Sequence, residues 1–276
     1  MYNAKSLMRD RYGLDIDLAV KITPTMEGML LHRSCRAYTG QDIDEGLLNV
    51  LLACAQSAPS KSNLQQYSIV VVRDADRRAA IAKLVPGLLP WFETAPIFLC
   101  FLGDLRRIRR LAKLRSRNYQ NNNSDTFMNA CVDAGLAMQN FVTAAESAGL
   151  GTCPISMIRD QIAMFADILQ LPNGVFPIAG LTIGWPKNTG VSAVRLPAST
   201  VVHREVYNDA NLEADIEEYD LRAHERKPIE PDGQRLKDIF GEVEICTWSD
   251  NVTRQLSEPE RPLFREFLRS RGIHLS

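Results

Sequence analysis

The stretch Pro96-Ile97-Phe98-Leu99-Cys100-Phe101-Leu102 is an unbroken apolar run that ends at Gly103. A short run of this kind, closed by a glycine, predicts a strand buried on both faces. Upstream of it, the β-branched run Ser68-Ile69-Val70-Val71-Val72 predicts a second buried strand. Downstream, residues 176–184 predict a third, with Ile178-Ala179-Gly180-Leu181-Thr182-Ile183 at its centre.

Helical patterns lie between these predicted strands. Apolar residues recur at helical spacing from Leu47 to Ala58, from Arg77 to Leu84 and from about residue 161 to 169. The longest pattern runs from Phe127 through Ala148, and its many small residues permit close helix packing. Gly149 is a helix-stopping glycine. Strands that alternate with helices predict an α+β or α/β layer architecture.

Length and composition fit a globular protein without a polyanionic partner. The chain has 276 residues and 45% hydrophobic content, which is enough for one large core or two small ones. Its net charge is −1, so no nucleic-acid partner is expected. The basic run from Arg106 to Arg117 covers most of a helix circumference, and it therefore predicts a solvated helix.

Cysteine and histidine spacing predicts no metal site. The 6 cysteines and 4 histidines are scattered and show no C-x-x-C spacing. Free thiols favour a reducing cytoplasm, and no apolar run reaches membrane-spanning length. We therefore expect a cytoplasmic protein without a membrane partner.

The cluster His32-Arg33-Ser34-Cys35-Arg36 is the first stretch that could carry chemistry. Arginine presents a planar fork of donors and serine adds a hydroxyl, so the cluster suits a phosphorylated ligand. Taken alone, such a cluster is more often a solvated surface turn.

Three further stretches allow both a functional and a structural interpretation. Ser57 to Gln65 is a helix-to-strand loop with donors for a polar ligand, or an ordinary turn. The stretch from Gly149 to Ser156 could let backbone approach a flat ring, or be a plain helix C-cap turn, and its Cys153 is interpreted as a packed thiol. Arg195 could bring charge to a ligand or form a surface ion pair, and His203 is expected to be structural.

Taken in order, these stretches resemble the flavin-dependent nitroreductase superfamily, most closely its oxygen-insensitive NADPH nitroreductase and flavin reductase branch. The resemblance runs from about Thr23 to the C-terminus. It is carried by His32-Arg33-Ser34-x-Arg36, Ala58-Pro59-Ser60, Asn63-Leu64-Gln65, Ala144 to Gly151, Leu171-Pro172, Arg195 to Ser199, His203-x-x-x-Tyr207, Thr247-Trp248-Ser249-Asp250 and Arg261-Pro262.

The resemblance implies a homodimer of α+β fold, with a central, mostly antiparallel sheet surrounded by helices. Residues 1–21 would be an N-terminal arm, 22–209 the FMN-binding core, and 210–276 a helical extension that wraps the partner subunit. The implied activity is that of an FMN-dependent NAD(P)H oxidoreductase, with a preference for NADPH. It would act on nitroaromatic, quinone or flavin acceptors in a ping-pong cycle, and FMN rather than a protein residue would carry the chemistry.

The resemblance also implies the site residues. FMN would be bound by one group from the same subunit, by a second group from the facing subunit's loop, and by a third group that lines the ring. These groups are His32, Arg33, Ser34, Arg36 and Arg195; then Ser60, Asn63 and Gln65; then Pro154, Ile155, Ser156 and Met157. Arg222, Arg226 and Lys227 would bind the NADPH 2′-phosphate, or be simple surface charge.

Two departures from the family pattern keep other functions open. Ala193 stands where this branch has a lysine, and Lys187 either reaches in from the preceding loop or is solvated at the surface. Ser156-Met157 replaces a Gly-Gly pair. The alternatives are an FMN-binding regulatory protein with low turnover, and a specialised reaction such as reductive dehalogenation. The sequence does not select the physiological acceptor.

Overall fold

A computed structural model describes residues 3–15, 20–88 and 91–276 of the chain. Two compact units are present. The first unit comprises residues 1–33 and 191–260, and the second unit comprises residues 34–190 and 261–276. The boundaries predicted after residues 21 and 209 do not coincide with these units, and they stay a prediction about domain organisation.

The sheet lies in the second unit. Its strands are β1 (Tyr67–Val72), β2 (Ile97–Asp104), β3 (Gly151–Ile155) and β4 (Val175–Gly184). They are ordered β1-β2-β4-β3, and each adjacent pair is antiparallel. The predicted antiparallel α+β architecture is therefore confirmed.

The apolar run of β2 is explained by its central position. Successive side chains of a strand point to opposite faces, so Ile97, Leu99 and Phe101 join one core cluster. Phe98, Cys100 and Leu102 join the other. Both faces of the sheet are covered by helices, and every residue of β2 is buried.

Helices account for most of the remaining regular structure. Their bounds are α1 (Ala4–Tyr12), α2 (Pro24–Leu30), α3 (Glu45–Gln56), α4 (Ala75–Leu84), α5 (Trp91–Thr94), α6 (Arg106–Leu114), α7 (Ser124–Ser147), α8 (Ile162–Ile168), α9 (Ala198–Val201), α10 (Leu212–Arg226), α11 (Lys237–Phe240), α12 (Trp248–Leu256) and α13 (Phe264–Ser270). Short 3₁₀ turns span Lys61–Asn63, Pro86–Leu88, Met157–Arg159 and Pro231–Gly233.

The longest predicted helix is confirmed as α7. Its buried face carries Ala134, Ala137 and Ala145, whose small side chains let the helix lie close to the sheet. Gly149 follows it with φ +85°. The N–H of Leu150 donates to the carbonyl of Ala145, the six-to-one bond of a Schellman motif. The predicted helix-stopping glycine is therefore confirmed.

The stretch from Gly149 to Ser156, predicted either to let backbone approach a flat ring or to form a helix C-cap turn, contains the edge strand β3. Glycine and proline weaken a strand pattern, and five residues give little alternation to detect. Pro154 is tolerated because an edge strand needs hydrogen bonds on one side only. Gly151 is required by packing, since a Cβ there would lie 2.6 Å from the Cβ of Cys35.

The first unit holds α10 and α12 together through polar contacts. The carboxylate of Asp220 is buried and accepts a hydrogen bond from the backbone N–H of Ser249 (2.9 Å) and one from its hydroxyl. Buried Arg254 donates to Asp250 and to the carbonyl of Gly241. Few apolar residues of α10 and α12 are buried, and buried charges with partners supply part of the order of this region.

Candidate functional site

The segment that follows Arg33 lies alongside β3 in the second unit. Ser34 forms a parallel bridge to Thr152, and the N–H of Cys35 donates to the carbonyl of Thr152 at 2.7 Å. Because side chains alternate along extended backbone, Cys35 is buried while Ser34 and Arg36 are exposed. The predicted serine and arginine donors therefore lie on the same side of this segment.

The side chains of Ser34 and Arg36 lie near the thiol of Cys153 on β3. Burial raises the pKa of this thiol, and the nearby Arg36 charge and Ser34 hydroxyl offset part of that rise. A buried thiol with a raised pKa is a poor nucleophile. The geometry therefore agrees with the interpretation of Cys153 as a packed thiol beside the candidate site.

Tyr38 anchors the other end of the segment. Its buried hydroxyl donates to the carbonyl of Cys35 at 2.8 Å and lies 2.9 Å from the hydroxyl of Thr182 on β4. Burial raises the pKa of Tyr38. The tyrosine therefore remains a neutral donor at ordinary pH, and it fixes Ser34 and Arg36 relative to the sheet.

The first unit holds His32, Arg33 and Arg195. The side chain of Arg33 donates to the carbonyl of Leu31 at 3.1 Å. Arg195 is exposed, and no carboxylate in the described part of the chain lies within ion-pair distance of it. Its backbone N–H donates to the carbonyl of Arg11 at 2.8 Å.

Arg11, which the sequence analysis did not select, connects these residues. Arg11 is 7% exposed, and its guanidinium donates to the carbonyls of Leu30, His32 (2.7 Å) and Ala193 (3.3 Å). The segments that carry His32 and Arg195 are thereby tied to one side chain. A single arginine in a polar N-terminal arm shows no periodicity, so its role could not be predicted from the sequence.

The loop between α3 and β1 is organised around Asp133 of α7. This carboxylate is 1% exposed and accepts hydrogen bonds from the Ser60 hydroxyl (2.7 Å), the Lys61 N–H (3.2 Å) and the Gln66 N–H (2.9 Å). The Ser60 hydroxyl in turn accepts from the N–H of Gln65. An acidic residue on the otherwise apolar buried face of α7 was the signal that could have identified Asp133.

Of the three residues of this loop that are predicted to meet a ligand, Asn63 and Gln65 are exposed and Ser60 is half-buried. Both exposed residues have positive φ, +55° and +51°, and the Gln65 amide donates to the Asn63 side chain at 3.1 Å. Arg107 of α6 donates to the carbonyl of Gln65 at 2.6 Å. The basic run was predicted as a solvated helix, but this arginine also fixes the loop. Asn63 and Gln65 therefore have a defined backbone and exposed side chains, while the Ser60 hydroxyl is hydrogen-bonded to Asp133 and to the N–H of Gln65.

The residues predicted to line a ring differ in exposure. Pro154 and Ser156 are exposed, whereas the side chain of Ile155 is buried in the core and that of Met157 is half-buried. The hydroxyl of Ser156 accepts a hydrogen bond from Arg261 at 3.3 Å, and Arg261 also pairs with Asp160. Ile155 can therefore meet a ligand only through its main chain.

The basic residues of α10 have distinct environments. Arg222 is nearly buried, pairs with Glu218 at 3.5 Å and packs against Gly13. Arg226 is more exposed and pairs with Asp10 at 3.6 Å. Lys227 is exposed, and together with Arg226 it lines a cavity of about 140 Å³ in the first unit. Arg226 and Lys227 are thus the members of this predicted group that a ligand can reach.

His203 and Lys187 are the two remaining residues for which the sequence allows alternative roles. His203 accepts a hydrogen bond from the N–H of Asn208 and lies against the ring of Tyr207, with centroids 4.3 Å apart. This is the structural role that the sequence predicts. Lys187 is exposed, and its backbone N–H donates to the carbonyl of Ala37.

Neither a metal centre nor a membrane span is found in the part of the chain that the structure describes. No group of three or more acidic, cysteine or histidine side chains in that part could hold a metal ion. None of its helices is both long enough and apolar enough to cross a bilayer.

Comparison with known proteins identifies the family. A family model described as "Nitroreductase family" matches residues 31–185, and one described as "Nitroreductase family, C-terminal domain" matches residues 194–276. The chain therefore belongs to the nitroreductase family, as the motifs predict.

Relatives of similar length narrow this identification to a branch. "FMN reductase [NAD(P)H]" of Bacillus subtilis (strain 168) is 33% identical over 245 residues, which cover 88% of this chain and 94% of that protein. "Oxygen-insensitive NADPH nitroreductase" of Salmonella typhimurium is 32% identical over 251 residues, covering 91% of this chain and 98% of that protein. The structure of NADPH:FMN oxidoreductase from Vibrio harveyi complexed with NAD+ matches with a TM-score of 0.78 and 31% identity, covering 90% of this chain and 97% of that one.

Proposed function

We propose that this protein is an FMN-dependent NAD(P)H oxidoreductase that reduces nitroaromatic, quinone or flavin acceptors. The observation that carries the proposal is family membership combined with exposed cationic donors at the predicted positions. Arg36 and Arg195 are both exposed, and Arg195 has no acidic partner among the described residues. Exposed guanidinium groups suit the phosphate ester of FMN, so Arg36 and Arg195 fit this cofactor.

The residues of this chain would bind and orient FMN rather than react. His32, Arg33, Ser34, Arg36 and Arg195 would hold the phosphate, the ribityl chain and the polar edge of the ring. Exposed Pro154 and Ser156, with the main chain at Ile155 and the half-buried Met157, would line the ring. When bound, FMN supplies the hydride transfer between nicotinamide and acceptor. No protein nucleophile is needed, in keeping with the packed Cys153.

Homodimerisation is part of the same proposal. Met128, Val132 and Leu136 recur every four residues on α7 and are 55%, 52% and 38% exposed. Residues four apart share one face of a helix, so these three form an exposed apolar stripe. Burying that stripe against a second copy would let Ser60, Asn63 and Gln65 of the facing subunit meet FMN, with Asn63 and Gln65 offering exposed side chains.

The direct test uses the purified protein under anaerobic conditions. We expect a yellow protein with a flavin absorbance band that bleaches rapidly when NADPH is added. A yellow protein that neither NADPH nor NADH bleaches would favour a low-turnover FMN-binding protein. Ala193 and Met157, which depart from the family pattern, are the reason for testing this alternative. A colourless protein that also rejects added FMN would refute the proposal. An acceptor panel then separates nitroaromatics, quinones and free flavin from a specialised reaction.

Nicotinamide preference depends on the basic residues of α10. We propose that Arg226 and Lys227, with Arg222 behind them, bind the 2′-phosphate of NADPH. Arg226→Ala should raise KM for NADPH roughly 10-fold or more and leave KM for NADH within about 2-fold, because only NADPH loses a charge-assisted contact. Arg235→Ala, at an exposed position of the same unit, is the control. An unchanged NADPH-over-NADH ratio in Arg226→Ala would contradict this assignment.

A further inference from the structure

Helix α1 precedes residue 31, where the match to the family model begins, yet its Arg11 is hydrogen-bonded to the segments that carry His32 and Arg195. Asn3 caps its first turn by accepting from the N–H of Lys5, and Gly13 ends it with φ +66°. Leu7 is 1% exposed. The helix therefore has defined ends and a buried face, which fixes the position of Arg11 in its last turn.

Arg11 uses its side chain and its main chain for different segments. Nη2 donates to the carbonyls of Leu30 and His32, and Nη1 donates to the carbonyl of Ala193. Its own carbonyl accepts from the N–H of Arg195. Arg11 thus fixes the backbone of the two segments that carry His32 and Arg195, which are predicted to bind phosphate.

These bonds matter because the segment that carries Arg195 has little structure of its own. Residues 191–197 form neither helix nor strand, so their carbonyl and N–H groups depend on partners elsewhere. A guanidinium offers five donors in one plane, which lets a single side chain bond carbonyls from two segments. Such bonds to a charged donor are stronger than bonds between neutral groups. Asp10 separately joins α1 to α10 through its ion pair with Arg226.

We propose that Arg11 is a positioning residue for the phosphate of FMN. It holds the backbone at His32 and at residues 193–195, and it thereby presets the approach of Arg195 to the phosphate group. The N-terminal arm is then part of the cofactor site rather than an appendage. This inference rests on the proposed function, since it assumes that His32 and Arg195 bind FMN.

The test compares FMN with riboflavin, which has the same ring and ribityl chain but no phosphate. Kd for each is measured on the full-length apoprotein by quenching of flavin fluorescence. We expect Arg11→Gln to weaken FMN roughly 10-fold or more, and riboflavin by less than about 3-fold. Arg11→Lys keeps the charge but loses the planar fork, so it should weaken FMN to an intermediate degree.

Arg9→Gln is the matched control. Arg9 lies two residues earlier on the same helix, is exposed, and pairs with Asp15. We expect this variant to bind both flavins like the wild type. Melting temperatures of the apoproteins show whether each variant is folded, and Arg11→Lys carries the comparison if Arg11→Gln does not fold.

The outcomes separate this inference from the proposed function. If the wild type binds neither FMN nor riboflavin, the proposed function fails. If the wild type binds FMN but the Arg11 variants weaken both flavins equally, Arg11 supports the unit without positioning for phosphate. Unchanged FMN affinity in folded Arg11 variants would overturn the inference as well.

Discussion

Arg36 is the residue of the cluster whose placement is best explained by its neighbours. Cys35 is fixed by the carbonyl of Thr152 and by the hydroxyl of Tyr38, so the backbone on both sides of it is held against β3. The side chain of Arg36 remains exposed beside Cys153. Its guanidinium is thus held on rigid backbone and is available to a ligand, which is the arrangement that an anion site needs.

Arg36→Ala should therefore weaken FMN binding without unfolding the protein. Losing a charge-assisted hydrogen bond costs about 1.5–3 kcal/mol, which corresponds to roughly a 10- to 150-fold rise in Kd. The measurement is a titration of apoprotein with FMN. Arg77→Ala, at an exposed position in the first turn of α4, should leave Kd unchanged. If FMN affinity survives Arg36→Ala, the cluster is not the cofactor's anchor.

Cys131 links a single residue to the pH dependence of stability. Burial raises the pKa of its thiol from 9.0 to about 11, and the charge of Arg159 offsets part of the rise. Between those values the folded protein keeps a proton that the unfolded chain has lost. Stability from this thiol is therefore fully present below pH 9 and is lost as the pH rises toward 11.

Cys131→Ala should reduce the alkaline loss of stability. The fall in free energy of unfolding between pH 8.5 and 10.5, measured by urea denaturation, should be smaller in the variant than in the wild type. Each fall is taken relative to the same protein at pH 8.5, so the cost of truncation cancels. Equal falls in both proteins would mean that the pKa of this thiol is not raised by folding.

At the scale of elements, α7 organises the loop that precedes β1. The buried carboxylate of Asp133 accepts three hydrogen bonds from residues 60–66. Arg107 of α6 donates to the carbonyl of Gln65 in the same loop. Positive φ values at Asn63 and Gln65 need such support, because they are unfavourable for residues with a Cβ. The loop geometry is therefore set by neighbouring helices.

Asp133→Asn should disorder this loop and weaken FMN together with stability. The amide loses the charged acceptor and turns a donor toward N–H groups, at a cost of about 3 kcal/mol. Thermal unfolding and FMN titration measure the two effects. Asp125 lies at an exposed position on the same helix and pairs with Lys61. Asp125→Asn should therefore change the melting temperature and the FMN affinity far less. Full stability in Asp133→Asn would show that the buried carboxylate does not organise the loop.

At the scale of the whole molecule, the exposed apolar stripe on α7 is the surface through which we propose that two copies associate. Val132→Glu places a charge in its centre and should shift the protein from dimer to monomer at micromolar concentration. FMN should be lost with the dimer, since the facing subunit would no longer supply Asn63 and Gln65. Sedimentation velocity and absorbance at the flavin band measure both effects.

Leu114→Glu is the control for that experiment. Leu114 is 71% exposed on α6, where the sequence predicts a solvated helix. We expect this variant to remain dimeric and yellow. A dimeric Val132→Glu protein that keeps FMN would place the subunit interface elsewhere than the α7 stripe.

The sequence by itself determined three strands, the long helix and the family. β2 and α7 could be predicted because each buries a continuous set of apolar side chains, and burial leaves a periodic record in the sequence. The exposed donors at Ser34, Arg36 and Arg195 could be selected because their order matches a family pattern. The edge strand β3 could not, because Gly151 and Pro154 leave no alternating pattern.

Only the tertiary structure decided how the candidate site is supported. Arg11 and Asp133 bond to residues far away in the chain, 182 positions apart for Arg11 and Ala193. Apart from the Ser60 hydroxyl, the partners named here are backbone carbonyl and N–H groups, which every non-proline residue has, so the sequence contains almost no mark of the pairing. Apolar periodicity is local and can be predicted from the sequence. The hydrogen-bond partners of a buried charged group are set only when distant segments have come together.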